Sequence, residues 1–547
     1  MSDRRQKFER RKAALYNDRQ EFLDEWKTLS EYFQPRRGRF LPGDRNKGKS
    51  RVNRIINSTG RYAANVLANG MHTGLTNPAR PWFRLAPGDR DLSEFGPVKH
   101  WLHIVEKLLQ SIFHSSNLYD SLPQIYLEMG VFGTGCVGLF EDYEDVIRAY
   151  PFTVGEYALA VDHKGRTDSL YREFPMTVGQ IVSRFGLESV SHSVRNIYDR
   201  GALDQTVVVT HLIEPNDERV DGMQDAKNKP WRSVYYENGG DADQVLQISG
   251  YDECPIMSPR WNTIGGDTWG SGPGADALGD NKQLQHQEKK KAQAIDKHVD
   301  PPLQGPGSLR KSPVTTLPGG ITFVDMMQNQ KLEPVYTIQP NISELRADMA
   351  EVEQRINQAF FVDMFLMLAQ RGQQMTATEV AERHEEKLMA LGTVLHRTSS
   401  ELLNPLIQRT FQRAVTAGIV PPVPHELREQ PLQIEYISIL AQAQQAVATS
   451  AIERMTGFAG NLAAVDQSVL DKIDLDQAID EYGMAIGAPP RIIRSDDQVA
   501  NIRQQRAEVE QQQQQMAMAQ QAAEGAKTLS EVQTGEGRNL IQEALGL

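Results

Sequence analysis

The stretch Gly43-Asp44-Arg45-Asn46-Lys47-Gly48-Lys49-Ser50 fits the phosphate-binding pattern G-x-x-x-x-G-K-S letter for letter. In a nucleoside triphosphatase, backbone N–H groups of such a loop wrap the phosphates, the lysine reaches the terminal phosphates and the serine holds magnesium. That chemistry needs a buried strand directly before the loop and a helix directly after it. Upstream lie Pro35, Arg36, Arg37, Gly38, Arg39 and Pro42, and two prolines among three arginines make no central strand. No regular alternation of strand and helix follows. The segment reads as a basic loop that binds no nucleotide, with an ATPase as the alternative.

Other chemistry has thin support. The runs 207–214 and 321–325 are hydrophobic and end in an acid, but such runs are common in any sheet. The twelve histidines are scattered, and Arg383-His384-Glu385-Glu386 lacks a second histidine at zinc spacing. There is no G-x-S-x-G elbow, and no carboxylate spacing singles out a nuclease pair. The only cysteines, Cys136 and Cys254, are too few for a disulfide framework or a zinc site of their own. The expectation is a protein without catalytic residues, cofactor or metal.

The elements that would position any site are clearer. At 547 residues the chain is too long for one compact core. No apolar run approaches the roughly 18 residues of a membrane span, and the first twelve residues lack a signal-peptide apolar stretch. The net charge of −12 argues against tight duplex binding. It leaves room for a lumen through which DNA slides, where strong attraction would act as a brake.

Phe8, Leu15, Phe22, Trp26, Leu29 and Phe33 fall on one face of a helix that Pro35 ends. Further helices are expected over 57–71 and 98–113, and from the capping sequence Ser121-Leu122-Pro123-Gln124. Between Val131 and Pro255 the pattern turns to short β-rich runs: 136–140, 157–161, 169–174, 207–213, 233–236 and 245–248. One helix over 177–185 interrupts them, and we expect a mostly antiparallel β domain.

After the breaker 270–274 comes a polar helix, 275–299, whose hydrophobic stripe is too weak to bury alone. Residues 301–340 hold seven prolines and two short strand candidates, 321–324 and 335–338, and read as an excursion between two helices. The returning helix starts at the cap Asn341, with Glu344 three residues on. Its seam is Ile342, Leu345, Met349, Val352, Ile356 and Ala359. An apolar stretch, 360–368, leads to a polar break at Gln370, Arg371, Gly372, Gln373 and Gln374. The capping box Thr376-Ala377-Thr378-Glu379 then opens a long helix, kinked at Pro405 and stopped by Gly418. Helices recur over 434–464 and 474–486. The Gln- and Ala-rich end, 504–526, suits either a solvated helix or a disordered tail.

Three groups of residues carry a resemblance. The first runs through Asn57-Ser58-Thr59, Ala63-Ala64, Leu67-Ala68-Asn69-Gly70-Met71, Gly74-Leu75-Thr76-Asn77-Pro78 and Pro81-Trp82-Phe83. The second is Trp269-Gly270-Ser271-Gly272-Pro273-Gly274, running into a long helix. The third is Met375-Thr376-Ala377-Thr378-Glu379-Val380, opening a helix that ends near Leu402-Leu403-Asn404-Pro405-Leu406. Together they resemble the head-to-tail connector (portal) proteins of podoviruses over about three quarters of the chain, roughly 15–422.

The resemblance implies an α+β, mainly helical fold in a ring-forming architecture. Residues 1–271 would form a wing with a β-rich region at 131–255. Residues 272–299 and 341–369 would be two stem helices, and 300–340 a small clip between them. A tunnel loop would occupy 370–375, a long kinked helix 376–430, a helical crown 431–503, and a helix or tail 504–547. It implies a dodecameric homo-oligomer at one capsid vertex of the virion, assembled in the host cytoplasm and unassociated with membrane. Its partners would be the terminase large subunit, a tail adaptor protein, the major capsid and scaffolding proteins, and double-stranded DNA passing through the channel. Gln370, Arg371, Gly372, Gln373 and Gln374 would face that DNA. Arg310, Lys311, Ile321, Phe323, Val335 and Tyr336 would dock the motor and then the adaptor. The function implied is a conduit for packaging and ejecting the genome, and not an enzyme. A DNA-packaging ATPase or another virion structural protein are the alternatives.

Overall fold

A computed structural model describes residues 2–40, 54–88, 92, 95–220, 222–223, 225–241, 244–305, 307, 314–315, 321, 333–335, 341–369, 391–428, 430–463, 472–485 and 496–531. The chain forms two units: residues 1–84, 106–421 and 436–450, and residues 85–105, 422–435 and 451–547.

The first unit opens with helix α1 (Ser2–Phe33), which stops two residues before Pro35. Its buried face holds Phe8, Trp26, Leu29 and Phe33, as the apolar spacing predicts, while Leu15 and Phe22 are half-buried and Leu23 and the basic residues Arg5, Lys12 and Arg19 are buried instead. Those three continue a seven-residue step that ends at Trp26 and Phe33. Each finds an acceptor: Arg5 Nη2 donates to Glu237 O (2.8 Å), Lys12 Nζ to Glu173 Oε1 (3.0 Å) and Arg19 Nη1 to Tyr157 O (2.9 Å). The buried face therefore begins at Arg5 and is filled between Phe8 and Leu23 by basic residues, because long basic side chains bury their stems and find acceptors at the tip.

Helix α1 lies along a five-stranded antiparallel sheet of order β4-β5-β6-β7-β8, with β4 (Tyr157–Val161), β5 (Thr167–Thr177), β6 (Thr206–Pro215), β7 (Trp231–Glu237) and β8 (Gln247–Tyr251). The period of two sorts the faces. Tyr171, Leu212, Val234 and Tyr236 pack with Phe8 of α1 on one side. Met176, Val209 and Tyr235 pack on the other, under Val178 and Ile181 of α5 (Val178–Phe185) and Val194 of α6 (His192–Asp199). Helix α5 starts at a capping box between Thr177 and Gln180, close to its expected start. Helix α6 has no counterpart in the sequence reading: it is eight residues long and its only fully buried residue is Val194. A second sheet, β3-β2-β9, joins β2 (Cys136–Asp142), β3 (Val146–Phe152) and β9 (Ile256–Met257), again antiparallel. Every described pairing in the 131–255 region is antiparallel, as expected.

Helices of this unit include α2 (Thr59–Leu75), α3 (Gly96–Ser115, shared between the units), α4 (Leu118–Phe132), α7 (Leu278–Val299), α8 (Ile342–Ala359), α9 (Val362–Ala369) and α10 (Asn404–Thr416). Three expectations need correction. Helix α4 begins at Leu118, so Ser121 caps nothing and Pro123 sits inside the helix. The apolar stretch 360–368 does not simply prolong α8. The helix ends at Ala359, Phe361 takes a left-handed φ of 54°, and α9 starts at Val362. The expected bend at Pro405 takes the form of a π-helical turn, Ser399–Leu403. Proline lacks the N–H that would bond one turn back and its ring crowds that carbonyl, and a widened turn relieves both. Glu401 on the widened turn accepts from the backbone N of Arg260 (2.9 Å) and from its guanidinium.

The second unit contains residues 85–87 of β1 (Phe83–Pro87) and 432–435 of β12 (Leu432–Tyr436), which pair, so the helix expected over 434–464 begins only at Ile439. It also contains most of α11 (Ile439–Ala463), α12 (Leu475–Ala485) and α13 (Asp496–Glu531). The Gln- and Ala-rich end is therefore helical through residue 531. Arg503 ties α13 to α12 through both carboxylate oxygens of Asp476 (2.6 and 2.8 Å).

Candidate functional site

The polar helix that lacked a hydrophobic stripe is where the fold departs furthest from a self-contained protomer. Helices α7 and α8 run antiparallel. Arg355 Nε donates to Asp280 Oδ1 (3.1 Å) and Gln287 Nε2 to Asp348 Oδ2 (2.5 Å), so the paired positions keep one sum along both helices. The alignment continues past the helices. β10 (Leu303–Gln304) pairs with β11 (Glu333–Pro334), with Leu303 opposite Pro334, and Val335 N donates to Pro302 O (2.8 Å). The whole is a hairpin whose helical arm, at 1.5 Å per residue, extends about 30 Å.

Amides fix this hairpin to the rest of its unit. On α7 the buried residues are Asn281, Leu284 and Gln285. Asn281 Nδ2 donates to Tyr32 O (3.0 Å) at the end of α1. Gln285 Oε1 accepts from the backbone N–H of Ile56 (2.7 Å) and Asn57 (2.9 Å), and its Nε2 donates to Asn57 O and Asn281 Oδ1 (both 2.9 Å). Asn57 Nδ2 in turn reaches Glu353 Oε1 of α8 (2.8 Å) and Glu288 Oε1 of α7 (3.3 Å). Each buried donor that water would otherwise serve has a protein partner. The glutamine alone satisfies two backbone N–H groups, so truncating it would leave both unpaired, at about 1–3 kcal/mol each. On α8, Met349, Val352 and Ile356 are buried, three of the six expected seam positions. Helix α9 packs on α2, where Phe365 occupies the space that a Cβ on Gly70 would need (2.2 Å).

The root of α7 is a backbone crossing. A Cβ added to Gly270 would lie 2.5 Å from Gly133 O, one on Gly272 would lie 2.8 Å from Met129 O, and one on Gly274 would lie 2.2 Å from Val131 O. The glycines between Trp269 and Gly274 therefore let the chain cross the end of α4 at contact distance. Trp269 meets Trp26 of α1 edge-on at 4.7 Å.

Among the described residues, little packs on the hairpin away from these anchors. Past Gln285 no residue of α7 is fully buried, and Val299 is 76% exposed. Ile295, Leu303, Val335 and Ile321 are exposed as well.

Of the residues singled out in the sequence, Ile321 and Val335 are described, both on the surface of the excursion. Arg310, Lys311, Phe323 and Tyr336 lie outside the described residues, as do Gln370, Arg371, Gly372, Gln373 and Gln374, the capping box 376–379, and Gly43 to Ser50. The strand candidates 321–324 and 335–338 fall largely outside too; the observed strand is 333–334. What surrounds the G-x-x-x-x-G-K-S motif is described. The element before it is α1, followed by a turn, and the next helix begins only at Thr59. Among the described residues, 34–40 form a turn and an irregular stretch, so no described strand leads toward the motif as phosphate chemistry needs. Among the described residues no cluster of three or more His, Cys, Asp or Glu side chains is placed to hold a metal ion, and no helix is long and apolar enough to cross a membrane. Sequence reasoning missed Asn57, Asn281 and Gln285. The signal for the last two was their i, i+4 spacing flanking Leu284 on the weak stripe.

A family profile for the bacteriophage head to tail connecting protein matches residues 5–493. The chain is 45% identical over 527 residues to a protein named portal protein from Salmonella phage epsilon15, covering 96% of this chain and 95% of that one. It is also 45% identical over 526 residues to a probable portal protein from Bordetella phage BPP-1, again covering 96% and 95%. Among solved structures, the neck of an empty gene transfer agent particle computed with C6 symmetry overlaps at a TM-score of 0.39 and 12% identity, covering 80% of this chain and 96% of that one. At that level the overlap carries no weight, and the sequence relationships decide: this chain belongs to the bacteriophage head to tail connecting protein family.

Proposed function

We propose that this chain is the portal protein of a short-tailed DNA phage. In this reading it forms a ring at one capsid vertex, through which the genome is packaged and later ejected. The observation that carries it is 45% identity to phage portal proteins along 96% of the chain. The hairpin supports it independently. A polar helix held by amides at its root, with apolar residues exposed along its length, is what a protomer presents when neighbouring copies complete its packing.

On this reading the β-rich region is the wing, α7 and α8 are the stem, and the proline-rich excursion between them is the clip. The excursion, with Arg310, Lys311, Ile321, Phe323, Val335 and Tyr336, docks the terminase large subunit and afterwards the tail adaptor. Major capsid and scaffolding proteins surround the wing in the virion, and assembly takes place in the host cytoplasm. Residues 370–374 follow the apolar helix α9 and face double-stranded DNA, with Arg371 as the one cation each subunit contributes at that level. Portal proteins are structural connectors, and catalysis is assigned to the motor, not to this chain.

The purified full-length protein tests this by sedimentation and by negative-stain images viewed down the particle axis. A closed ring with a channel wide enough for duplex DNA is expected; monomer at micromolar concentration with no ring would overturn the reading. ATP hydrolysis abolished by Lys49→Ala would put the enzyme reading in its place. Deleting 305–320 should leave rings assembled and uncouple them from terminase, and normal packaging by that deletion would remove the docking role.

A further inference from the structure

The segment 36–54 carries Arg36, Arg37, Arg39, Arg45, Lys47, Lys49, Arg51 and Arg54 against the single acid Asp44, in a chain of net charge −12. Three of these cations are neutralised within the first unit. Arg37 donates to the buried Glu128, Arg39 lies 3.3 Å from Glu156, and Arg54 lies 2.7 Å from Glu31. Arg36 and Arg61 are different. Both are exposed, and neither has a hydrogen-bond or ion-pair partner among the described residues. Together with Gln34 and Pro35 they line a cavity of about 200 Å³.

The two guanidinium groups are carried on fixed backbone. Arg37 N donates to Gln34 O (2.8 Å), closing a turn with Pro35 and Arg36 at its centre, and Ser30 Oγ donates to Gln34 O (3.1 Å). Arg61 is the third residue of α2. The start of that helix is set by Asn57 Oδ1, which accepts from Thr59 N (2.9 Å), and by Gly60, whose missing Cβ leaves room for the side chain of Asn281. The first turn of α2 holds no acid. The field at a helix N-terminus favours an anion and disfavours a cation, so an unpaired arginine there is locally unfavourable until an anion joins it.

We propose that Arg36 and Arg61, which line one cavity with Gln34 and Pro35 beside the start of α2, form a phosphate-binding cleft that holds the sugar–phosphate backbone of a nucleic acid. Two arginines lining one cavity suit a tetrahedral phosphate, which offers oxygens in several directions, better than a planar carboxylate that one guanidinium fork satisfies. A volume several times the roughly 30 Å³ share of a water molecule admits a phosphate with part of its hydration. The proposal rests on the reading of the chain as a DNA conduit and adds to it a contact outside the 370–374 loop.

The test is binding of a short labelled DNA duplex by the full-length protein across a salt series. It is read on whatever assembly the unaltered protein forms, so absence of rings contradicts the conduit reading alone. The double variant R36Q/R61Q is expected to weaken binding at low salt at least about tenfold. It should also reduce the slope of log K against log salt by about 2, since each phosphate contact contributes roughly 0.9. R36K/R61K, which keeps both charges, is expected to retain most of the slope. An unchanged slope in the glutamine pair overturns the proposal. Release of the duplex by inorganic phosphate far below the effective concentration of chloride, at matched ionic strength, assigns the cleft to a free anion and also overturns it. So does loss of rings in the glutamine pair with rings kept in the lysine pair, which would give the two arginines to a carboxylate of a second copy.

Discussion

The five-stranded sheet and the α7–α8 hairpin solve the same packing problem in opposite ways. The sheet has both faces covered within its own unit, by α1 on one side and by α5 and α6 on the other. Its buried histidine shows how this closure treats a polar side chain. His211 lies fully buried against Tyr235, with ring centroids 3.8 Å apart and planes 6° from parallel. Its Nδ1 accepts from Arg172 Nε (3.2 Å) and its Nε2 reaches Ser233 Oγ (3.0 Å), so the neutral ring with its proton on Nε2 fits both neighbours. The hairpin is pinned at its root by Asn281, Gln285 and Asn57, and beyond that root its side chains meet solvent. One region is complete in a single chain; the other, on the proposed reading, is completed by neighbouring copies. Low hydrophobicity in a long helix can therefore mark an assembly element and not a weak one.

The comparison can be broken first at the hairpin's root. Gly274→Val should cost about 3 kcal/mol or more, because the side chain would meet Val131 O where even a Cβ lies at 2.2 Å. Thermal unfolding of the variant checks this, and a stability within about 0.5 kcal/mol of the unaltered protein would contradict the crossing. Next comes Gln285→Ala, which leaves the N–H groups of Ile56 and Asn57 without their acceptor. A loss of about 2–3 kcal/mol is expected by denaturant titration. Gln285→Glu keeps an acceptor for both but loses the donor to Asn57 O and Asn281 Oδ1, so its loss should be intermediate.

In the sheet the sharper probe is pH. Burial, reinforced by the nearby cations Arg172 and Arg184, holds the His211 pKa well below its ordinary value of 6.5. The folded state therefore keeps the ring neutral while the unfolded chain takes up a proton. Stability from this site is fully present above about pH 6.5 and falls as pH drops below it. His211→Gln should flatten that part of the stability–pH curve, and an unchanged slope between pH 5 and pH 7 would exclude His211 as its source. The smallest effect is expected at Arg355→Ala. Its ion pair with Asp280 is solvent-accessible, with 41% and 29% of the two side chains exposed, so the loss should stay below about 1 kcal/mol.

How much of this was legible in the sequence follows the same division. Strands 157–161 and 207–213, the helix over 177–185 and the cap at Asn341 were readable because local pattern and final environment agree there. The buried basic stripe Arg5, Lys12 and Arg19 was not, since a charged residue at a helical step reads as a solvated face until its acceptors are known. Strand β3 was missed because Tyr150-Pro151 and the left-handed Val146 break the usual strand signature. The hairpin was legible as a conflict: a helix too polar to bury, between a glycine-rich crossing and a proline-rich excursion. Its partners were not, because Asn57 lies more than two hundred residues from Gln285. The docking and channel residues proposed from the sequence rest on the family relationship and on chain order, and only Ile321 and Val335 of them have a described position.

Hydrogen exchange on assembled particles and on unassembled chain tests the contrast most directly. The account predicts that assembly slows exchange across residues 286–299 and 341–348 of the hairpin, while the sheet strands between 157 and 251 exchange equally slowly in both states. Exchange in the hairpin that is as fast in the particle as in the free chain would contradict the claim that neighbouring copies complete it.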